Sequence, residues 1–468
     1  MDRLQAVLDQ IDSIIWGPFL LIPLLLGTGA FLTFRLVGLQ FRMLGPALRL
    51  AFIDRRDDDA DEGDITHFQA LTTALAATVG VGNIVGVATA IGVGGPGALF
   101  WMWVTGLLGM ASKYSEAFLA VRFRQTDAKG EATGGPQYYL EKGLNNRVGA
   151  MLSLAFAIFA VLASFGIGNM TQGNAISGNI ENQFGVPTWI TGLVITVFVG
   201  LVLIGGIKAI GNVTAALVPM MIVFYLIGGT WILIVNAADV PHALGLIFTD
   251  AFTGTAAAGG FLGSGIMLVL QMGVARGIFS NESGLGSAAI AAAAAKTNHP
   301  VRQGLVSMTQ TFIDTIIVVT FTGLVIITTG VWDTGRDGAA TMTSRAFSHG
   351  LPGQWGGIVV TVAVAMFALS TILGWSYYGD RCTERLFGRG GVVYYRVLFT
   401  VVVFIGATIP LDVVWSFADI MNGLMALPNL VGLLALSGLI ASETKHYLDN
   451  DPKLRASRAD IDGFMAGR

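Results

Sequence analysis

Apolar residues run in long continuous stretches along this chain, with no strand-like alternation with polar ones. The stretches fall near residues 14 to 34, 67 to 93, 97 to 121, 149 to 180, 187 to 207, 212 to 236, 260 to 295, 303 to 329, 355 to 379, 392 to 410 and 413 to 441. A hydrocarbon core about 30 Å thick takes about 20 apolar residues per helix, so the pattern predicts eleven transmembrane helices in an all-α membrane protein. Composition agrees: 53% of the 468 residues are hydrophobic and 12% charged, the mean hydropathy is +0.68, and a soluble domain carries roughly a quarter charged residues. One Arg precedes the first apolar run and no small-residue cleavage site follows it, so that run is expected to be a retained helix.

The parity of the spans carries more than their number. Without the first helix ten remain, and ten divides into two sets of five, residues 67–236 and 260–441, flanked by an N-terminal part, 1–66, and a tail, 442–468. An odd number of helices per set makes the second an inverted copy of the first, a 5+5 topology that recurs among secondary transporters.

Positive charge sets the expected orientation. Arg35, Arg42, Arg49, Arg55 and Arg56, then Arg122, Arg124, Lys129, Lys142 and Arg147, then Lys208, Lys296, Arg302, Arg381, Arg385, Arg389 and the C-terminal cluster fall in alternate loops, whereas the opposite loops hold little beyond Arg3, Arg336 and Arg345. Lys and Arg resist translocation, so the N-terminus is expected outside and the C-terminus in the cytoplasm, in a multi-pass protein of the cell membrane. The formal net charge of -3, with no basic stripe, gives no sign of a nucleic-acid partner. The lone Cys382 excludes an internal disulfide. The five His residues, 67, 242, 299, 349 and 446, lie at or beyond span ends and far apart in sequence, which argues against a membrane enzyme.

The first span of each set is interrupted. Thr78-Val79-Gly80-Val81-Gly82-Asn83 stands in one and Gly277-Ile278-Phe279-Ser280-Asn281-Glu282-Ser283-Gly284-Leu285-Gly286 in the other. Glycine costs a helix about 1 kcal/mol relative to Ala, so such clusters at mid-span favour unwinding. Unwound backbone inside a bilayer survives only where protein or a water-filled cavity satisfies it. A broken helix offers a carbonyl end to cations and an N–H end to anions, a setting that suits a zwitterion. The expected arrangement puts a carboxylate at the N–H groups around Thr78, Gly80, Gly82 and Asn83, and an ammonium near carbonyls of Gly277 to Ser280. Phe279 would cap the side chain, and Ser280 and Asn281 would offer hydrogen bonds. Gly166 would leave room for substrate, Gln172 would hydrogen-bond it, and Trp375 would wall the pocket.

Na+ takes hard, neutral oxygens. Ser370 and Thr371, adjacent in the ninth span, are expected to aim hydroxyls at the carbonyls of Ala76 and Val79; the alternative is that each hydroxyl bonds back within its own helix. Arg276, Glu282 and Asp314 are ionisable residues within spans, expected as a structural or gating pair of Arg276 with Glu282 or Asp314; Lys113 and Glu116 lie near the end of the third. No Lys, Glu or Asp stands in the span 212–236, and Lys208 lies at its cytoplasmic edge, which favours Na+ over H+ as coupling ion. A rival reading takes Thr78-Val79-Gly80-Val81-Gly82 as a carbonyl-lined K+ filter, although a filter needs several such loops around one axis.

At these residues the chain resembles the alanine or glycine:cation symporter family. The likeness runs from about Phe68 to Thr444 and is dense in Ala76 to Ala90, in Gly94-Gly95-Pro96-Gly97 followed by Phe100-Trp101-Met102-Trp103, in Gly134-Gly135-Pro136-Gln137-Tyr138-Tyr139, and in Arg276 to Glu282. The resemblance implies a leucine-transporter-type fold, Na+ as coupling ion with no organic cofactor, and uptake of small amino acids such as alanine and glycine. It also implies that backbone oxygens of Ala76 and Val79 and hydroxyls of Ser370 and Thr371 hold the cation. Ala77 departs from the wider pattern, which has Asn there, and puts a second Na+ site in doubt; the N-terminal helix lies outside the ten-helix core.

Overall fold

A computed structural model describes residues 2–55, 57, 60, 62–127, 130–253, 262–409 and 412–466. Arg56 and Lys129 of the charge count, and residues 260 and 261 of the seventh apolar run, lie outside these. Among the described residues the regular structure is helical apart from a short hairpin in which Gln125–Thr126 pairs antiparallel with Ala132–Thr133.

Before the first interrupted span come α1 (Asp2–Ile15), α2 (Leu21–Arg35), and the short α3 (Leu39–Arg42) and α4 (Leu44–Phe52). The span itself is α5 (His67–Thr78) and α6 (Val87–Gly94), with a π turn at Gly82–Gly86 between them. A capping box starts α5: Thr66 accepts from the Gln69 N–H, and the Gln69 side chain accepts from the Thr66 N–H. Then follow α7 (Ala98–Arg122), α8 (Pro136–Leu144), α9 (Arg147–Phe165), α10 (Thr171–Phe184), α11 (Thr188–Ile204) and α12 (Gly206–Val235). The second half holds α13 (Val240–Thr253), α14 (Leu262–Asn281), α15 (Ala289–Ala293), α16 (Pro300–Thr311), α17 (Thr320–Thr328), α18 (Gly335–Gly350), α19 (Trp355–Thr408), α20 (Asp412–Ala435), α21 (Ser437–Asn450) and α22 (Arg458–Met465). α19 is two helices that meet at Gly388, whose φ of 68° and extended ψ turn the chain where a Cβ would be strained.

Among the described residues five helices are long and apolar enough to cross a membrane, or six when α5 and α6, bent by 53°, count as one span. Together with the apolar character of the chain, these make it a multi-pass membrane protein. Apolar side chains such as Phe198, Leu201, Ile204, Ile227 and Val397 stay exposed on its outside, as a lipid-facing surface requires.

Two π turns occur where continuous helix was expected. Gly166–Met170 joins α9 to α10, and Phe312–Val319 joins α16 to α17. Such turns insert a residue into the helical ladder and free a carbonyl for other partners. Two further helices, α13 and α18, lie in segments read from the sequence only as loops. α18 covers the first interruption: Thr343 donates to the Ile84 carbonyl at 2.9 Å, inside the first π turn.

One face is closed by a connected polar network. Arg302 holds Asp57 at 2.9 Å and Asp451 at 3.1 Å, and its Nε donates to Tyr447. The buried His67 meets Gln303 at 2.6 Å, and His299 stacks on Tyr447. An isolated parallel bridge between Ile65 and Ala295 ties the start of α5 to the end of α15. The hairpin joins in, with Arg381 and Arg389 both paired to Asp127 and Glu131. His67 and His299, far apart in sequence, thus share one network.

Burial is the largest influence on Asp57 and raises its pKa, yet the hydrogen bond and charge of His67, with the charge of Arg302, together hold the carboxyl well below the usual carboxylate range. Glu131 is likewise raised by burial but brought down to about 2 by Arg381 and Arg389. Burial pushes His299 down to about 3, helped by the neighbouring Arg302.

Candidate functional site

The site grows from the first interruption. α5 stops at Thr78 because Val79 leaves the helical region, with ψ of 86°. The Gly80 N–H then donates to Asn83 Oδ1 at 2.9 Å, so the side chain of Asn83 closes the gap like a cap. That bond occupies the Gly80 N–H expected to meet a carboxylate. The Asn83 N–H, also expected there, bonds back to the Gly80 carbonyl at 3.2 Å, which leaves the N–H of Gly82 at the positive end of the break.

Ser370 and Thr371 converge on the carbonyl end of α5. Their hydroxyls reach the Ala76 carbonyl at 3.2 and 3.1 Å, and also the Phe367 carbonyl of their own helix at 2.8 and 3.0 Å. The hydroxyls thus meet one of the two expected carbonyls, that of Ala76, while also bonding back within their own helix. The close approach depends on small residues: a Cβ at Gly80 would stand 2.5 Å from Thr371 Oγ1, and one at Gly374 would stand 2.7 Å from both Cβ and N of Ala77. Two hydroxyl oxygens beside the freed carbonyls of a half-helix form a donor set that fits Na+. Thr78 turns away from this point; its hydroxyl bonds back to the Ala74 carbonyl at 3.0 Å.

Gln172 borders the same gap. It is buried, its Nε2 donates to the Ile167 carbonyl at 3.0 Å, and its Oε1 has no protein partner. That oxygen would lie 3.6 Å from a Cβ at Gly80. The freed Ile167 carbonyl belongs to the second π turn, which explains how Gln172 is fixed. Gly166 has a different use from the room for substrate anticipated: a Cβ there would meet the Ala418 Cβ at 2.6 Å, so its smallness lets α20 approach.

On the other side of the break Phe279 lies against Gly82, whose Cβ would come within 3.0 Å of the ring, and stacks on Trp415 at 6.4 Å. These rings, with Val81, Gly82, Arg276 and Asp419, line a cavity of about 380 Å³. Arg276 pairs with Asp419 at 3.8 Å and stands over the Phe279 ring. This corrects the expected pairing of Arg276 with Glu282 or Asp314. Asp419 lies in a span otherwise read as apolar, and Asp12 of α1 reaches the same cavity.

Asp314 has another task. It accepts from Asn83 at 2.7 Å, from Ser280 at 2.9 Å and from Thr315 at 2.8 Å, and so joins the two interrupted spans through one carboxylate. Ser280 therefore bonds to the next helical segment, as does Asn281, whose Nδ2 donates to Thr315 at 3.0 Å.

The second interruption also sits later than expected. Gly277 to Ser280 is regular helix within α14, and the backbone unwinds only from Glu282 to Ala288. Gly277 serves a close crossing, since its Cβ would stand 2.4 Å from Thr105 Oγ1. Glu282, Gly284 and Gly286 all have positive φ, of 55°, 92° and 84°. The carbonyls near α14's end are taken: Gln310 donates to that of Asn281 and Lys113 to that of Glu282. Glu116 and Asn429 satisfy the Gly286 N–H and the Gly284 carbonyl. The Glu282 carboxylate accepts from Trp375 Nε1 at 2.8 Å and from Ser287 at 2.5 Å. Trp375, whose Cβ would stand 2.3 Å from one placed on Gly168, thus braces this loop.

Known proteins give this geometry its context. Residues 1–460 match the sodium:alanine symporter family. The chain is 52% identical to the sodium/alanine symporter AgcS of Methanococcus maripaludis over 447 residues, 94% of this chain and 97% of that protein. It is 36% identical to the probable sodium/glutamine symporter GlnT of Bacillus subtilis, across 95% of this chain and 91% of that one. Its fold is shared with MhsT, solved in complex with L-phenylalanine, at a TM-score of 0.55 and 12% identity, covering 82% of this chain and 99% of the other. The match along nearly the whole length, on an all-helical membrane fold of this kind, means that the chain belongs to the sodium:alanine symporter family, among sodium-coupled amino-acid transporters.

Proposed function

We propose that the protein carries small neutral amino acids, alanine and glycine, into the cell with Na+ by alternating access. The observation that carries this reading is the meeting of Ser370, Thr371 and the Ala76 carbonyl at a helix break, 3.1 to 3.2 Å apart, beside the unpartnered Gln172 Oε1. Na+ binds among those oxygens and the Val79 carbonyl and fixes the gap. The substrate carboxylate then lies toward the N–H end at Gly82, and its ammonium toward the carbonyl end of α5 and Gln172. Phe279, whose ring lies against Gly82, caps the substrate's side chain. The name of one relative includes glutamine, so substrate size varies among similar chains.

The architecture that serves this function is eleven spans: an extra N-terminal helix, then five in residues 67–236 and five in inverted orientation in 260–441, with the N-terminus outside. The polar network around Arg302 closes the cytoplasmic face, and the cavity beside Arg276 and Asp419 is the outer vestibule. The K+ filter reading loses ground to the family membership and to the side chain of Asn83, which fills the gap at Gly80. Uptake of radiolabelled alanine, glycine and serine by proteoliposomes tests the proposal. Accumulation of alanine and glycine only under an inward Na+ gradient is expected; equal uptake without Na+, or amino-acid-independent K+ current, would overturn it.

A further inference from the structure

We propose that the cleft between the corner joining α2 to α3 and the helix α21 binds the headgroup of an anionic phospholipid. The cleft has a volume of about 560 Å³ and is lined by Arg35, Arg42 and Lys445 together with apolar Leu36, Val37 and Leu448. Arg35 ends the apolar α2, and a cation at that position stands where hydrocarbon gives way to headgroups. Its Nη2 lies 3.7 Å from where a Gly438 Cβ would be, so the side chain reaches across to α21.

The charges are unbalanced. Among the described residues neither Arg35 nor Arg42 meets a carboxylate, while Lys445 pairs with Asp449 at 2.5 Å. Asp449 also lines the cleft, so three cations face one carboxylate there. Val37 and Gly38, with φ of 54° and 62°, turn the chain sharply between the two arginines and bring both to one opening. A free phosphate would use the cations alone. The rim continues into Phe34, Val37 and Phe41, which are 83%, 69% and 62% exposed, and such a surface suits acyl chains attached to the same anion. Basic pockets between membrane helices hold anionic headgroups in this way, with about fivefold in affinity per basic residue.

Native mass spectrometry of the purified full chain, titrated with phosphatidylglycerol, phosphatidylcholine and inorganic phosphate, tests the proposal. Phosphatidylglycerol should be retained in preference to phosphatidylcholine. Arg35→Gln/Arg42→Gln should weaken that retention about 25-fold, whereas Arg35→Lys/Arg42→Lys should keep most of it and Arg147→Gln, which does not line the cleft, all of it. The lysine pair separates lost charge from lost folding. Equal retention of both lipids, or undiminished retention by the glutamine pair, would overturn the proposal. Displacement of the lipid by millimolar phosphate would make this a free-anion site and equally overturn it.

Discussion

At the scale of single residues, the side chains that organise the centre are those that satisfy broken backbone. Asn83, Gln310, Lys113, Glu116 and Asn429 each bond a main-chain group that a helix interruption has released. In a bilayer an unsatisfied group of this kind costs several kcal/mol, so these residues stabilise the breaks themselves. Asp314 goes further, since one carboxylate serves Asn83 and Ser280 of different spans. Asp314→Ala takes the carboxylate acceptor from Ser280 and leaves Asn83 only the long bond, 3.4 Å, to the main-chain carbonyl of residue 314, at about 1–3 kcal/mol for each lost bond. A thermal melt in detergent should therefore show a clearly less stable protein, and an unchanged melting temperature would contradict the bridging role.

At the scale of elements, the sequence showed the long apolar helices and which two spans break, because apolar length and glycine clustering are local signals, but it missed α13 and α18, which it read as loops. It placed the second break several residues early. Gly277 is there for a close crossing at Thr105, and only contacts from other helices distinguish a packing glycine from an unwinding one. The pairing of Arg276 with Asp419 was likewise hidden, because it joins residues more than 140 positions apart. Ser370 and Thr371 were legible only in combination with the α5 break; on their own, hydroxyls that bond back to Phe367 are ordinary. The contact of α19 with α5 rests on Gly374. Gly374→Ala must push the helices apart at Ala77 by some tenths of an ångström, and the expected result is a rise of about tenfold or more in the Na+ concentration for half-maximal uptake. Wild-type Na+ dependence in that variant would show that the packing does not set the cation site.

At the scale of the molecule, one face is fastened by ion pairs. The Glu131 carboxyl has a folded pKa of about 2, below its ordinary 4.5, because Arg381 and Arg389 outweigh the opposing effect of burial. A lowered carboxylate pKa adds stability that is complete above about 4.5 and is lost as pH falls toward about 2. His299, lowered from its ordinary 6.5 to about 3, stays neutral in the folded protein, so stability also falls as pH drops below about 6.5, where the unfolded chain takes up a proton that the folded one does not. The melting temperature should thus hold level from this network at pH 7 to 8, decline below about pH 6.5 through His299 and fall more steeply below about pH 4.5 through Glu131, with that steeper part shallower in Glu131→Gln. The same acid slope in that variant would argue against the fastening.

These three scales meet in the proposed arrangement, in which hydroxyls of α19 at the carbonyl end of α5 hold the cation next to the amino acid. The most direct test is equilibrium binding of radiolabelled alanine to purified Ser370→Ala/Thr371→Ala across a series of Na+ concentrations, alongside a melt to confirm folding. The account predicts that the variant folds but needs at least about tenfold more Na+ for the same alanine binding, since two ligands of the ion are gone. Alanine binding with the Na+ dependence of the unmodified protein would contradict it.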